Sequence, residues 1–322
     1  MRAIRVEAFG GPEVLTLVEL PDPEPGEGQL LVQIKAIGLN FIETYQRSGA
    51  YPIALPRILG TEAAGEVLTL GAGVTGFAVG DRVVFNGSTG SYADLTLAPA
   101  AATVKLGDDV PFDTGVALYL QGLTAHALCT SVYPIQPGEW SLVHAGAGGV
   151  GLLLIQMIKM RGGHVIATVS TEEKAALARG AGADEVILYS KDDFVAGVAR
   201  ITNGDKLPVV YDSVGKDTFD GSIDCLRSRG YMVLYGQSSG RVDPVDPQLL
   251  NAKGSLFLTR PTMNNYVETR EELMARANDI YDWAAEGKLN ARVGLTLSLE
   301  QAADAHRALE GRQTTGKVVL VP

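Results

Sequence analysis

The run Gly146-Ala147-Gly148-Gly149-Val150-Gly151 stands between an apolar stretch at 140–145 and a helical one at 150–161. It satisfies G-x-G-x-x-G in the context where that pattern has a mechanism. Small residues let the backbone turn sharply at a strand end and approach a pyrophosphate, whose charge is met by helix N-terminal N–H groups and the helix dipole. A glycine-rich turn without a ligand is the alternative for a lone match, and the texture that follows argues against it. Strand and helix patterns alternate through 165–169, 172–180, 185–188, 193–201, 207–212, 219–226, 231–235 and 255–259. That is the βαβ signature, with enough strands for a doubly wound parallel sheet. Runs such as Pro208-Val209-Val210-Tyr211 read as strands buried on both faces.

The chain before this region has a different grain. Short strand-like segments at 3–8, 15–20, 30–36, 63–70, 82–85 and 91–97 are separated by Gly-Gly-Pro, Pro-Asp-Pro-Glu-Pro-Gly and other breakers, which predicts an antiparallel, barrel-like domain. With 322 residues, 46% of them hydrophobic, the chain can fill two cores. The expected division is 1–122 for the barrel-like domain and 123–261 for the parallel sheet. Residues 262–322, read as a helix at 269–286, a strand at 293–297, a helix at 299–309 and a strand at 316–321, are too few to fold alone. They are expected to return and complete the first domain.

Charge and composition exclude several functions. A net charge of −10 and a pI near 5.0 disfavour nucleic acid and anionic membrane as partners. The most apolar run, 144–159, is too short to span a bilayer, and residues 1–7 lack the apolar core of a signal peptide. Two cysteines, Cys129 and Cys225, make neither a disulfide framework nor a close-spaced metal cluster, so a cytoplasmic location is expected. The four histidines, His126, His144, His164 and His306, show no metal-ligand spacing and read as ordinary polar or core positions.

The residue that meets the adenosine ribose lies about 20 positions beyond the glycine motif, at the end of the second strand. An NAD site places Asp or Glu there; this chain places Ser170, with Lys174 one helical turn further on. A small hydroxyl with a nearby cation favours a 2′-phosphate, and hence NADPH. The other reading keeps Lys174 as a solvated helix residue and gives the ribose of NAD to Glu172 or Glu173.

Several blocks resemble the medium-chain dehydrogenase/reductase superfamily, and within it the zinc-free quinone oxidoreductase branch that includes ζ-crystallin. They are Gly10-Gly11-Pro12-Glu13-Val14-Leu15, the block from Ala36 to Tyr45, Gly60-Thr61-Glu62-Ala63-Ala64-Gly65, Gly80-Asp81-Arg82-Val83, Gly122-Leu123-Thr124-Ala125, the glycine loop, Tyr211-Asp212-Ser213-Val214-Gly215 and Thr259-Arg260-Pro261. The resemblance spans essentially the whole chain. It implies a GroES-like catalytic domain beside the Rossmann sheet. Zinc alcohol dehydrogenases of this superfamily carry Cys where this chain has Asn40, and Gly-His-Glu where it has Gly60-Thr61-Glu62. Two catalytic zinc ligands are therefore absent, as is the structural four-cysteine cluster.

What the resemblance implies can be placed residue by residue. Asn40, Phe41, Ile42 and Tyr45 would line the substrate cleft between the domains, with Asn40 and Tyr45 the candidates to hydrogen-bond the oxygen that becomes negative. Thr124 would orient the cofactor, while Gly146, Gly148, Gly149, Val150 and Gly151 would hold its pyrophosphate. Ser170, Lys174 and Tyr189 would surround the 2′-phosphate. Further cofactor contacts would come from Ser213, Gly236, Gln237, Ser238, Leu258, Arg260 and Arg312. The bland readings stay open: a turn-capping amide for Asn40, a half-buried aromatic for Tyr45, a plain strand-end tyrosine for Tyr189, surface charges for Arg260 and Arg312. Relatives pair the strand at 255–259 across a two-fold axis, so a homodimer is implied. Without a Lewis acid the acceptor must already be electrophilic, which favours a quinone as hydride acceptor. The alternatives are reduction of an enal, enone or enoyl thioester, and a non-catalytic NADPH-binding or RNA-binding, crystallin-like role.

Overall fold

The computed structural model describes residues 1–88 and 90–322. The chain divides into two compact units, Met1–Leu120 with Leu273–Ala277 and Ala291–Pro322, and Gln121–Glu272 with Asn278–Asn290. In the first, the strands are β1 (Arg2–Val6), β2 (Thr16–Glu19), β3 (Gln29–Leu39), β4 (Arg57–Ile58), β5 (Glu62–Leu70), β6 (Arg82–Asn86), β7 (Leu95–Pro99) and β8 (Thr103–Lys105), with helix α1 (Phe41–Ser48) after β3. Helix α2 (Phe112–Ala127) follows. The second unit carries β9 (Trp140–Val143), α3 (Gly149–Met160), β10 (His164–Val169), α4 (Glu172–Gly180), β11 (Glu185–Leu188), α5 (Phe194–Ile201) and β12 (Leu207–Asp212). It continues with α6 (Phe219–Asp224), β13 (Leu226–Leu234), α7 (Pro247–Ala252) and β14 (Phe257–Thr259). After α8 (Arg270–Ala285) come β15 (Val293–Ser298), α9 (Ala302–Glu310) and β16 (Lys317–Val321).

Strand β3 organises the first unit. Its inward residues Leu30, Val32, Ile34, Ile37 and Leu39 are buried, and it pairs antiparallel with β5, β7 and β16. Burying Leu and Ile side chains contributes about 1.5–3 kcal/mol each, which anchors the cluster completed by Phe85, Tyr92, Leu299 and Val318. The sheet is mixed rather than wholly antiparallel, because β16 runs parallel to β15. Among the described residues of 1–122 every strand pairing is antiparallel, as expected; the parallel pair lies in the returning segment, where β15 and β16 are joined through a helical crossover, α9, and not a hairpin.

Helix α1 was not anticipated as a helix, and its pattern explains why. Its buried residues are Glu43, Thr44 and Arg47. The half-buried ones are Phe41, Ile42 and Tyr45, so the usual apolar-inward stripe is inverted. The ends are nevertheless well defined: Asn40 is extended at φ −131°, its N–H donates to Glu43 Oε2 at 2.8 Å, and Gly49 closes the helix in left-handed conformation at φ 81°. Helix α2 was missed for a different reason, since Val116, Ala117, Leu118, Tyr119, Leu123 and Ala125 are all buried and leave no amphipathic stripe to read.

The second unit has the strand order β11-β10-β9-β12-β13-β14, with every pairing parallel. The order reverses between β9 and β12, which is where open α/β sheets bind their ligands. Two expected strands are shortened by left-handed residues: β9 stops at Val143 because Ala145 has φ 52°, and β14 starts at Phe257 because Ser255 has φ 57°. No helix among the described residues is long and apolar enough to cross a membrane.

Candidate functional site

In the second unit the glycine loop leaves β9 through His144 and the left-handed Ala145, and Gly146 N–H donates to Thr168 O at 3.0 Å. Helix α3 is capped by Gly148, and Leu152 N–H is its first internal donor, bonded to Gly148 O at 2.9 Å. The N–H groups of Gly149, Val150 and Gly151 lie in the first turn, where no helical carbonyl can reach them. A Cβ on Gly146 would fall 2.8 Å from Ala167 Cβ, and one on Gly151 would run into the Ala145 carbonyl oxygen. Both glycines are therefore needed to bring the helix against the strand, a geometry that can accept a pyrophosphate. The Gln121 amide covers Gly149, where an added Cβ would meet it. Nothing in the sequence motif signalled Gln121. Thr124 is half-buried one helical turn further along α2.

The turns after β10 and β11 bring Ser170, Lys174 and Tyr189 into one neighbourhood. Tyr189 N–H donates to Val169 O at 3.1 Å, Ser190 Oγ donates to Ser170 O at 2.8 Å, and Lys174 N–H donates to the capping Thr171 Oγ1 at 3.2 Å. The Tyr189 ring is exposed. Glu172, one of the two carboxylates that would serve an NAD ribose beside Glu173, pairs with Lys191 at 3.1 Å. Ser213 and the turn at 236–238 are joined through Ser238 N–H to Ser213 O at 3.1 Å, and a Cβ at Gly236 would collide with that same carbonyl. Leu258 packs on the core of the sheet, and Arg260 donates to Leu234 O at 3.2 Å. Arg312 belongs to the first unit, exposed after α9 at φ 56°.

The first unit gathers Asn40, Glu43, Glu62 and Lys317. The Lys317 ammonium, fully buried, donates to Asn40 Oδ1 at 2.9 Å and to Glu62 Oε2. Asn40 Nδ2 donates to Glu62 Oε2 at 3.0 Å and to Gly38 O at 3.3 Å. Both amide hydrogens and the amide oxygen of Asn40 are thus engaged. Here Asn40 ties the start of α1 to a buried ion pair, the turn-capping role left open beside contact with a substrate oxygen. Phe41 and Tyr45 stack at 6.2 Å between centroids, with Tyr45 also against Tyr51 at 5.2 Å.

Two of the buried groups respond oppositely to acid. Burial pushes the Glu43 carboxyl up from 4.5 to about 7, against the pull of the Asn40 N–H and Lys317. Burial, helped by Arg47, pushes His306 down from 6.5 to about 3. Arg47 Nη1 lies 3.0 Å from His306 Nδ1 and can only donate, so Nε2–H faces the Tyr92 hydroxyl at 3.1 Å. The raised Glu43 value contributes stability that is full below 4.5 and lost as pH rises through about 7. The lowered His306 value contributes stability that is full above 6.5 and lost as pH falls toward 3. Between pH 6.5 and 4.5 the two cancel. Glu43→Gln unmasks the histidine, and relative to the unsubstituted chain it is expected to lose about 1.4 kcal/mol per pH unit across that window. Urea midpoints at the two ends of the window measure it; a constant difference would refute the opposed pair.

A unit built on a mixed, mainly antiparallel sheet and a second unit with a six-stranded parallel sheet and a glycine loop on its first strand are the two parts of the medium-chain dehydrogenases/reductases. Residues 26–108 match the family model described as "Alcohol dehydrogenase GroES-like domain", and residues 181–320 match "Zinc-binding dehydrogenase". The chain is 45% identical to the quinone oxidoreductase of Pseudomonas aeruginosa, over 100% of its own length and 99% of the relative's. It is 40% identical to the 2-haloacrylate reductase of Burkholderia sp, covering 97% of this chain and 96% of that one. The structure of Escherichia coli quinone oxidoreductase complexed with NADPH matches with a TM-score of 0.97 at 44% identity, each chain covered to 100%. The chain belongs to the quinone oxidoreductase family. The zinc in one model's description does not fit the residues present: Asn40 and Thr61 offer no strong zinc ligand, and Glu62 already binds the Lys317 ammonium.

Proposed function

We propose that this chain reduces quinones with NADPH, without metal. The observation that carries the reading is the inverted helix α1. It keeps Glu43, Thr44 and Arg47 inside and leaves Phe41, Ile42 and Tyr45 half-buried, an apolar, aromatic face suited to a flat acceptor. NADPH, when bound, supplies the hydride. The chain's own part is to hold the pyrophosphate at Gly146, Gly148, Gly149, Val150 and Gly151 and the 2′-phosphate at Ser170, Lys174 and Tyr189. Thr124, Ser213, Gly236, Gln237, Ser238, Leu258, Arg260 and Arg312 are proposed as further contacts. Tyr45 is the proposed hydrogen-bond donor to the acceptor oxygen, with the proton completed from water. The 2-haloacrylate reductase relative supports a second reading, reduction of an activated carbon–carbon double bond.

The reading extends to assembly and compartment. The β14 edge, where Phe257 is 49% exposed and stacks on Tyr231, supports a homodimer that covers it. Cys129 and Cys225, both buried and in no disulfide, fit the cytoplasm.

The test follows loss of reduced-nicotinamide absorbance with a benzoquinone, a phenanthrenequinone, an enal and 2-chloroacrylate, each with NADPH, with NADH and with a chelator. Chelator-insensitive turnover of quinone, faster with NADPH, is expected. Turnover of the alkenes alone would move the chain to the second reading, and binding without turnover would reopen a non-catalytic role.

A further inference from the structure

The rows Ala167↔Val143↔Tyr211 place β10, β9 and β12 in register, so that Thr168, His144 and Asp212 form the next row across the middle of the sheet. Ser222 on α6 completes the group, and all four side chains are buried. His144 Nδ1 lies 2.8 Å from Thr168 Oγ1, His144 Nε2 lies 3.0 Å from Ser222 Oγ, and Ser222 Oγ donates to Asp212 Oδ2 at 2.9 Å. With its one hydrogen spent on Asp212, Ser222 must accept from His144 Nε2–H. That leaves Nδ1 bare to accept from the Thr168 hydroxyl. The direction of every bond is fixed. Burial pushes the His144 pKa down, in keeping with a neutral ring.

Each end of this chain of bonds grips a loop. Asp212 Oδ1 accepts from Val214 N–H at 2.7 Å and Gly215 N–H at 3.0 Å, while Oδ2 accepts from Thr218 Oγ1 at 2.7 Å. The turn so fixed holds the next loop through Ser238 N–H to Ser213 O at 3.1 Å and Ser239 N–H to Val214 O at 2.9 Å. At the other end Thr168 carries the carbonyl that binds Gly146 N–H, and His144 directly precedes the left-handed Ala145. A hydrocarbon row would pack as well but would leave the Val214 and Gly215 N–H groups without that carboxylate.

We propose that His144 is a positioning residue for the dinucleotide site, acting through Ser222 and Asp212 to set the glycine loop, the turn after β10 and the turn after β12 in one register. This rests on NADPH as the cofactor. The test compares His144→Leu, His144→Gln and the milder Ser222→Ala with the unsubstituted protein, by NADPH fluorescence titration and by amide exchange without nucleotide. The leucine variant is expected to bind NADPH about tenfold more weakly, as for the loss of one net hydrogen bond, with faster exchange at Val214 and Gly215 and little change within β9 and β10. Glutamine, which restores a donor toward Ser222, is expected to recover part of the affinity, and Ser222→Ala to weaken binding in the same direction. Unchanged affinity and loop exchange would overturn the proposal, as would exchange rising uniformly across the whole sheet. If the unsubstituted protein fails to bind NADPH, the cofactor reading falls, and the exchange arm still decides whether His144 orders the loops.

Discussion

Lys317→Met will destabilise the first unit by about 3–5 kcal/mol, the range for removing one partner of a buried ion pair. Lys317 and Glu62 are both fully buried, and Glu62 Oε1 also accepts Leu120 N–H at 2.7 Å. Gly38 makes the arrangement fit, because a Cβ there would strike the Glu62 carboxylate. Without the ammonium, a carboxylate stays in the core facing the Asn40 amide and the Leu120 N–H. Adding Glu62→Gln to Lys317→Met removes the stranded charge and is expected to restore much of the loss. The measurement is denaturant-dependent amide exchange in β3, β5 and β16; tryptophan fluorescence would report elsewhere, since Trp140 and Trp283 both lie in the second unit. A loss below about 1 kcal/mol, the scale of an exposed pair, would show that the charges are not coupled.

Gly151→Val will weaken NADPH binding at least about 100-fold, equivalent to roughly 2.7 kcal/mol. The added Cβ would meet the Ala145 carbonyl oxygen and stand 3.0 Å from Gly146 Cα, both backbone atoms that cannot swing aside. The first turn of α3 would have to lift away from β9 and carry its N–H groups off the phosphate position. Gly180→Ala is the control: it ends α4 with nothing within 4 Å of its Cβ, and affinity there should be unchanged. Fluorescence titration of both variants decides it. Normal binding by Gly151→Val would mean that the loop is not the pyrophosphate cradle.

The parallel sheet and the glycine loop were legible because local pattern and tertiary role coincide there. Strands buried on both faces read as apolar runs, and Gly146 and Gly151 are glycine for reasons that travel with the motif. The proposed acceptor side was less legible because it breaks the usual rules. Helix α1 hides its polar side chains, so periodicity does not find it, and the block around Asn40 was read only through family resemblance. Lys317 and Glu62 are far apart in sequence and each looks like an ordinary surface charge. His144 and His306 read as ordinary polar or core positions, and only the fold shows the first against Thr168 and Ser222 and the second between Arg47 and Tyr92.

Strand β16 lies between β15 and β3 in its sheet, and Lys317 reaches Asn40 across 277 residues of sequence. This fixes an order of events during synthesis. The N-terminal strands leave the ribosome first, yet their sheet cannot close until residues 317–321 have followed. The six parallel strands, all between residues 140 and 259, can assemble while the chain is still growing. The part made first is thus finished last, and until then the Ile37–Leu39 end of β3, beyond its pairing with β7, is a strand edge that the cell must keep from pairing with a neighbour.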